Sequence, residues 1–236
     1  MTSTVTSTPV RYAIDDGIGT ITLDDGKVNV MSLTMIGAIN DALDRAQADD
    51  AVVVLTGREG VFSAGFDLAA LRGGAFGSAT MVRAGFELAA RVLGFPQPVI
   101  AACTGHAIAM GAFLLCSADH RVGAAGEFRF AANEVAIGLT VPYAAIAILR
   151  ARLTPSAFQR AVTLSEPFTT ADAVAAGFLD RVVPAPDLPA VARDAATAAS
   201  KLDRHRHAAT KRRLRESMLD DVRRRIADEF DSYRPQ

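Results

Sequence analysis

Two short runs, Ala-Val-Val-Val-Leu at 51–55 and Val-Ile-Ala-Ala-Cys at 99–103, are apolar at every position. A strand with one face in water alternates polar and apolar residues, so a run without alternation has to be covered on both faces. Each run breaks into small residues, Thr56-Gly57 in one case and Thr104-Gly105 in the other. Buried parallel strands of this kind need helices to cover them, which points to an α/β arrangement. Half of the 236 residues are apolar, enough to bury the core of one large domain, or of a domain with a short appendage.

The surrounding patterns fill in the elements. Residues 10–14 and 18–23 predict two strands joined by the turn Asp15-Asp16-Gly17. Ser32 is placed to cap a helix over 33–47, where Met35, Ile36, Ile39, Leu43 and Ala46 recur at helical spacing. A Gly-containing segment over 59–77 leads to a helix over 78–93, which Pro96 and Pro98 end. Residues 105–117 predict a helix starting deep in the core, and 120–123 and 127–130 predict short strands. From Pro142 onward the pattern is helical only. Thr154-Pro155 opens one helix, Thr170 opens another that Gly177 closes, and a helix over 187–201 precedes two charged helices reaching Phe230. The reading is an α/β body with a C-terminal helical subdomain.

The net charge of −1 argues against a dedicated nucleic-acid surface. Charge is uneven, however: between Lys201 and Arg225 there are ten Lys or Arg against four Asp or Glu. The run Lys211-Arg212-Arg213-Leu214-Arg215 reads mainly as a solvated helix face, with attraction of a ligand's phosphates the lesser alternative. Cys103 and Cys116 lie in apolar surroundings without His or Cys at zinc-ligand spacing, so buried free thiols and no metal are expected. Residues 1–9 are Ser/Thr-rich with no apolar core, and the longest apolar run, 107–116, is too short to span a bilayer. The expectation is a soluble cytoplasmic protein, without membrane association, whose residues 1–9 are disordered.

Three segments carry chemistry. Val61-Phe62-Ser63-Ala64-Gly65-Phe66-Asp67-Leu68 turns sharply on small residues and can aim main-chain N–H groups outward. Thr104-Gly105-His106-Ala107-Ile108-Ala109-Met110-Gly111-Ala112 opens a buried helix whose first N–H groups, near Met110, favour negative charge. Ala132-Asn133-Glu134-Val135-Ala136-Ile137-Gly138-Leu139 holds a lone carboxylate in an apolar stretch. In a low-dielectric pocket Glu134 would approach a neutral pKa and could both take and return a proton.

Together these segments resemble the crotonase (enoyl-CoA hydratase/isomerase) superfamily over roughly residues 10–215. The first resembles its first oxyanion segment. Pro98-Val99-Ile100-Ala101-Ala102 and the stretch from Gly105 through Asp119 resemble the second, and Phe130 to Glu134 its glutamate segment. Thr169 to Gly177 with Val182-Val183-Pro184 resembles a downstream signature. The resemblance implies a spiral of ββα units over 10–185 with an acyl-CoA site, and a C-terminal helical oligomerisation region over 186–236 that assembles a homotrimer or dimer of trimers. It implies an oxyanion hole from the amides of Phe66 and Met110, with Ala64, Asp67 and Leu68 along the coenzyme A channel. No cofactor is implied, coenzyme A being part of the substrate. Asn29, at the family's Asn-Ala-Leu turn, is read as fixing that turn rather than touching ligand. His106 and Ser63 are not read as catalytic.

One departure bears on the reaction. Hydratases of the family place glutamates in both the second and third segments, and here the second-segment position is Phe113. A phenyl ring cannot activate water, but one carboxylate can move a double bond, so the pattern with Asn133-Glu134 looks closest to the mitochondrial-type Δ3,Δ2-enoyl-CoA isomerases. The expectation is conversion of 3-enoyl-CoA to 2-enoyl-CoA with Glu134 as proton shuttle and Phe113 lining the substrate. Another reaction of the family, weak hydration included, or a catalytically silent acyl-CoA binder stays open.

Overall fold

A computed structural model of the chain describes residues 8–72 and 75–230. The disordered segment expected over 1–9 lies outside the described residues except for Thr8 and Pro9, and Pro9 already accepts a hydrogen bond from the Asp24 N–H (2.8 Å). Residues 231–236 of the expected C-terminal region also lie outside them.

In chain order the elements begin with strands β1 (Val10–Asp15), β2 (Ile18–Leu23) and β3 (Val30–Met31), then helix α1 (Leu33–Ala48). Ser32 caps α1 by accepting from the Met35 N–H, and Met35, Ile36, Ile39 and Leu43 on its inner face are buried. β4 (Val52–Thr56), β5 (Gly60–Ser63), β6 (Gly65–Phe66), α2 (Leu68–Arg72) and α3 (Ala75–Leu93) follow. Next come β7 (Val99–Cys103), β8 (Gly105–Ile108), α4 (Met110–Ser117), β9 (His120–Ala124) and β10 (Arg129–Ala131). The chain continues through α5 (Tyr143–Arg150), α6 (Pro155–Leu164), β11 (Phe168–Thr169), α7 (Thr170–Ala176) and β12 (Arg181–Val183) to α8 (Leu188–Ser200) and α9 (Arg204–Phe230).

The strand order explains how these elements form a spiral. One sheet runs β1-β2-β4-β7-β9-β12 and another runs β11-β10-β8-β5. The chain alternates between them: β4, β7 and β9 enter the first sheet, and β5, β8 and β10 enter the second, each neighbour parallel to the last. Each turn of the spiral thus adds one strand to each sheet and then one helical segment. The buried parallel strands expected at 51–55 and 99–103 are β4 and β7, at the middle of the larger sheet.

Four expectations are corrected. The segment over 59–77 carries two strands, too short and too rich in Ser and Gly to show an alternation. The helix expected over 105–117 is a strand, β8, followed by α4, because β8 is only four residues long and α4 is buried at every position, so neither period emerges. The region after Pro142 holds β11 and β12, of two and three residues, below the length that a pattern can reveal. The two charged helices are one, α9.

The solvated face expected for 211–215 is also corrected at its two ends. Lys211 and Arg215 are buried. Lys211 Nζ lies 2.6 Å from Asp119 Oδ2 and Arg215 Nη2 2.9 Å from Asp119 Oδ1, while the same carboxylate accepts the Val99 N–H (2.8 Å). Arg215 also donates to the Leu93 carbonyl (2.9 Å). Together with buried Leu219, Val222 and Ile226, these contacts hold α9 on the body, where it packs against α3 and α5. The i, i+4 spacing that looks like a charged stripe is here a pair of inward anchors.

Removing one partner of a buried ion pair leaves the other charge stranded, which costs about 3–5 kcal/mol. Asp119→Ala is therefore expected to lower the urea-unfolding free energy by that amount, and Glu166→Ala, which breaks the exposed Arg160–Glu166 pair, by less than about 1 kcal/mol. Equal effects of the two substitutions would refute the anchoring role. A second check is Gly111→Ala. Its Cβ would sit 2.8 Å from the Ser63 Cβ and closer still to the Ser63 carbonyl oxygen, so a loss of about 1–3 kcal/mol is expected by the same assay.

Candidate active site

The register of the smaller sheet assembles the site. Ser63 pairs with Ala107, and Ala107 with Phe130, so the three residues stand level on β5, β8 and β10. Three residues beyond each come Phe66, Met110 and Asn133, with Glu134 next. The three segments singled out in the sequence therefore leave one sheet edge side by side.

Their backbones touch. Gly65, at φ +86°, lies so close that a Cβ there would be 2.7 Å from the Ile108 carbonyl oxygen, 2.9 Å from the Ala109 Cβ and 3.3 Å from the Met110 amide nitrogen. Ala109, at φ 48° and ψ −122°, holds a conformation that L-residues avoid, and its N–H is fixed on the Ala131 carbonyl (2.7 Å). The strained turn presents the start of α4, Met110 being its first residue, and no partner for the Met110 N–H is found among the described residues.

A cavity of about 90 Å³ opens at this point, lined by Ala64, Phe66, Leu68, Ala109, Phe113, Asn133 and Glu134, with Leu71, Val82, Phe86, Ile137, Leu139, Thr140 and Pro142 completing its walls. Glu134 is the one ionisable side chain on that wall among the described residues. It is 7% exposed, and its Oε2, like Asn133 Oδ1, is buried without a hydrogen-bond partner. Burial pushes its carboxyl up to about 7, opposed only by its own main-chain N–H. A larger groove of about 490 Å³ lies between α5 and α9, but none of the three segments reaches it, and its Asp221 and Arg225 pair with each other.

The other candidates divide. Asp67 is absent from the cavity wall; its carboxylate accepts the Ala69 N–H (2.9 Å) at the start of α2. The Met110 side chain is buried in the core. Asn29 is fully buried at φ 53°, donates to the carbonyls of Leu23 and Phe62 and accepts the Asp25 N–H, which fixes the turn as expected. Ser63 Oγ donates to the Asn29 carbonyl, and His106 Nδ1 accepts the Arg129 N–H, so both serve structure. Cys103 and Cys116 are buried free thiols, and burial pushes Cys103 up to about 12. Among the described residues no group of three His, Cys, Asp or Glu could hold a metal ion, and no helix is long and apolar enough to cross a membrane.

Sequence reading missed Phe86 and Val82 on α3, and used Asn133 only as the neighbour of Glu134. The first two belong to an ordinary buried helix face, and only the fold aims them at the cavity. Asn133 was legible by adjacency to Glu134 alone. The strain at Ala109 had no signal, since alanine gives no hint of a positive φ.

Comparison with known proteins bears on the same segments. An enoyl-CoA hydratase/isomerase family protein from Pseudomonas syringae superposes with a TM-score of 0.93 at 43% identity, covering 94% of this chain and 97% of that one. An enoyl-CoA isomerase of Mycobacterium tuberculosis gives 0.91 at 47%, covering 95% and 98%. The mitochondrial enoyl-CoA hydratase domain-containing protein 3 of Rattus norvegicus is 32% identical over 174 residues, 72% of this chain and 57% of that protein, so the match spans little more than half of that relative. Hydratase names are the more common among the relatives. The family profile of enoyl-CoA hydratase/isomerase matches residues 13–232. The chain belongs to that family, within the crotonase superfamily, and carries its fold.

Proposed function

We propose that this protein isomerises 3-enoyl-CoA to 2-enoyl-CoA. The observation that carries the reading is a buried carboxylate, Glu134, with Oε2 unpartnered, sharing with Phe113 a cavity that holds no other ionisable side chain among the described residues. In this reading the thioester oxygen accepts hydrogen bonds from the main-chain N–H groups of Phe66 and Met110. Ionised Glu134 takes a proton from C2, the negative charge moves onto that oxygen as a dienolate, and the protonated Glu134 returns the proton to C4. The proton count is unchanged, and no second acid enters. One oxyanion donor is worth about 3 kcal/mol, or roughly a hundredfold to a thousandfold in rate. Ala64 and Leu68 would lie along the coenzyme A arm, with Asp67 shaping the turn beside it.

A carboxylate poised near neutrality suits a residue that must be base and then acid. One solved structure names the Mycobacterium tuberculosis relative an isomerase and another names the same protein a probable hydratase, so its name favours neither reading. The hydratase names favour a second one, hydration of 2-enoyl-CoA. Phe113 weighs against it, because one carboxylate beside a phenyl ring orients water poorly.

Product analysis with pure protein separates the two: 3-enoyl-CoA should give 2-enoyl-CoA with little 3-hydroxyacyl-CoA, and Glu134→Gln should lower turnover by at least about a hundredfold. Full activity in Glu134→Gln would remove Glu134 from the mechanism. Because the base must be ionised, kcat/KM should rise with pH through about 7.

Stability should move the other way. Glu134 holds its proton more tightly when folded (about 7) than in the ordinary carboxyl (4.5), so its stabilising share is intact below 4.5 and is lost as pH rises to 7. Glu134→Gln should match the wild type near pH 4.5 and exceed it by about 3 kcal/mol above pH 7, read from denaturant midpoints. A gap that is constant across pH would contradict this.

A further inference from the structure

Three aromatic rings line the cavity. Phe86 and Phe113 stack with centroids 5.9 Å apart, and Phe66 meets Phe86 edge-on at 6.2 Å. Phe86 and Phe113 are fully buried within the main core, so protein rather than solvent stands behind them. Phe66 can take its place because residue 85, on α3, is glycine. A Cβ there would lie 2.5 Å from Phe66 Cε1 and 2.6 Å from Cζ, with Met110 Sδ 3.3 Å away. The ring thus lies directly against the α3 backbone at a position where any larger residue would displace it.

The space left in front of this wall is small. At about 90 Å³ it is less than the apolar cavity of roughly 150 Å³ that takes up a benzene molecule. Resting on the reading of this cavity as the acyl site, we propose that the Phe66–Phe86–Phe113 wall restricts the protein to short-chain acyl thioesters, of no more than about six carbons. Phe66 is then a specificity-determining residue twice placed, its amide toward the thioester and its ring across the path of a longer chain. Inside the cavity each added methylene tightens binding about fourfold. Beyond the wall a further carbon has to displace packed rings, which weakens binding.

Saturated acyl-CoAs test this without any turnover. Butanoyl-, hexanoyl-, decanoyl- and dodecanoyl-CoA are titrated calorimetrically into the full chain and into Phe66→Ala and Phe86→Ala. The wild type should bind hexanoyl-CoA at least tenfold more tightly than decanoyl-CoA. Phe66→Ala should reverse or abolish that ratio; Phe86→Ala, if it folds, should do the same. Affinity that climbs steadily to dodecanoyl-CoA, or a chain-length preference unmoved by Phe66→Ala, would overturn the proposal while leaving the acyl-CoA site standing. Failure to bind any of the four would sink the acyl-CoA reading and the proposal with it. Absence of 3-enoyl-CoA turnover with the short-chain preference intact would sink only the isomerase reading.

Discussion

The first turn of α4 lies against the backbone of residues 63–65 with no side chain between them, and the rest of the site depends on that contact. Gly111 meets Ser63, and Gly65 meets Ala109 and Met110. Any Cβ at either glycine would push the two segments apart, and with them the main-chain groups of residues 66 and 110. The same approach forces Ala109 to a positive φ, a strain of order 1–3 kcal/mol that the pairing of its N–H with β10 helps to hold. Strain at this turn is repaid by a helix start fixed in space before any ligand arrives.

Two buried carboxylates show how differently the same chemical group can be used. Asp119 is surrounded by donors: two cations and a main-chain N–H converge on it, and it joins α9 to the start of β7. Glu134 has no cation beside it and only its own main-chain N–H as a donor, and its Oε2 is without a partner. One charge is compensated and contributes to the shape of the molecule. The other is left exposed to its own desolvation, which holds its proton affinity near neutral pH. The fold therefore sustains an unfavourable group at the cavity and a favourable network elsewhere.

Much of this was legible in the sequence where residues act through composition or spacing. The all-apolar runs revealed β4 and β7, Ser32 and the periodicity behind it revealed α1, and an isolated Glu134 among apolar neighbours revealed a carboxylate that burial would perturb. What escaped depends on contacts distant in sequence. β5, β6 and β8 exist because neighbouring strands accept their hydrogen bonds, not because their own residues alternate. Lys211 and Arg215 look like solvent-facing cations until Asp119, some ninety residues earlier, is brought beneath them. Phe86 gives no sign that its ring closes a cavity, since any buried helix face would carry it equally well.

The clamp on α9 has a consequence for how the chain comes into being. A polypeptide is made from its N-terminus, so β7 and Asp119 emerge long before Lys211 and Arg215. Until the last helix arrives, Asp119 lacks its two nearest cations, and the apolar faces of α3 and α5 that α9 covers stand open to water. The spiral can form turn by turn, but it reaches its resting electrostatics only when α9 docks, so the fold is completed only after residues 204–230 have been made.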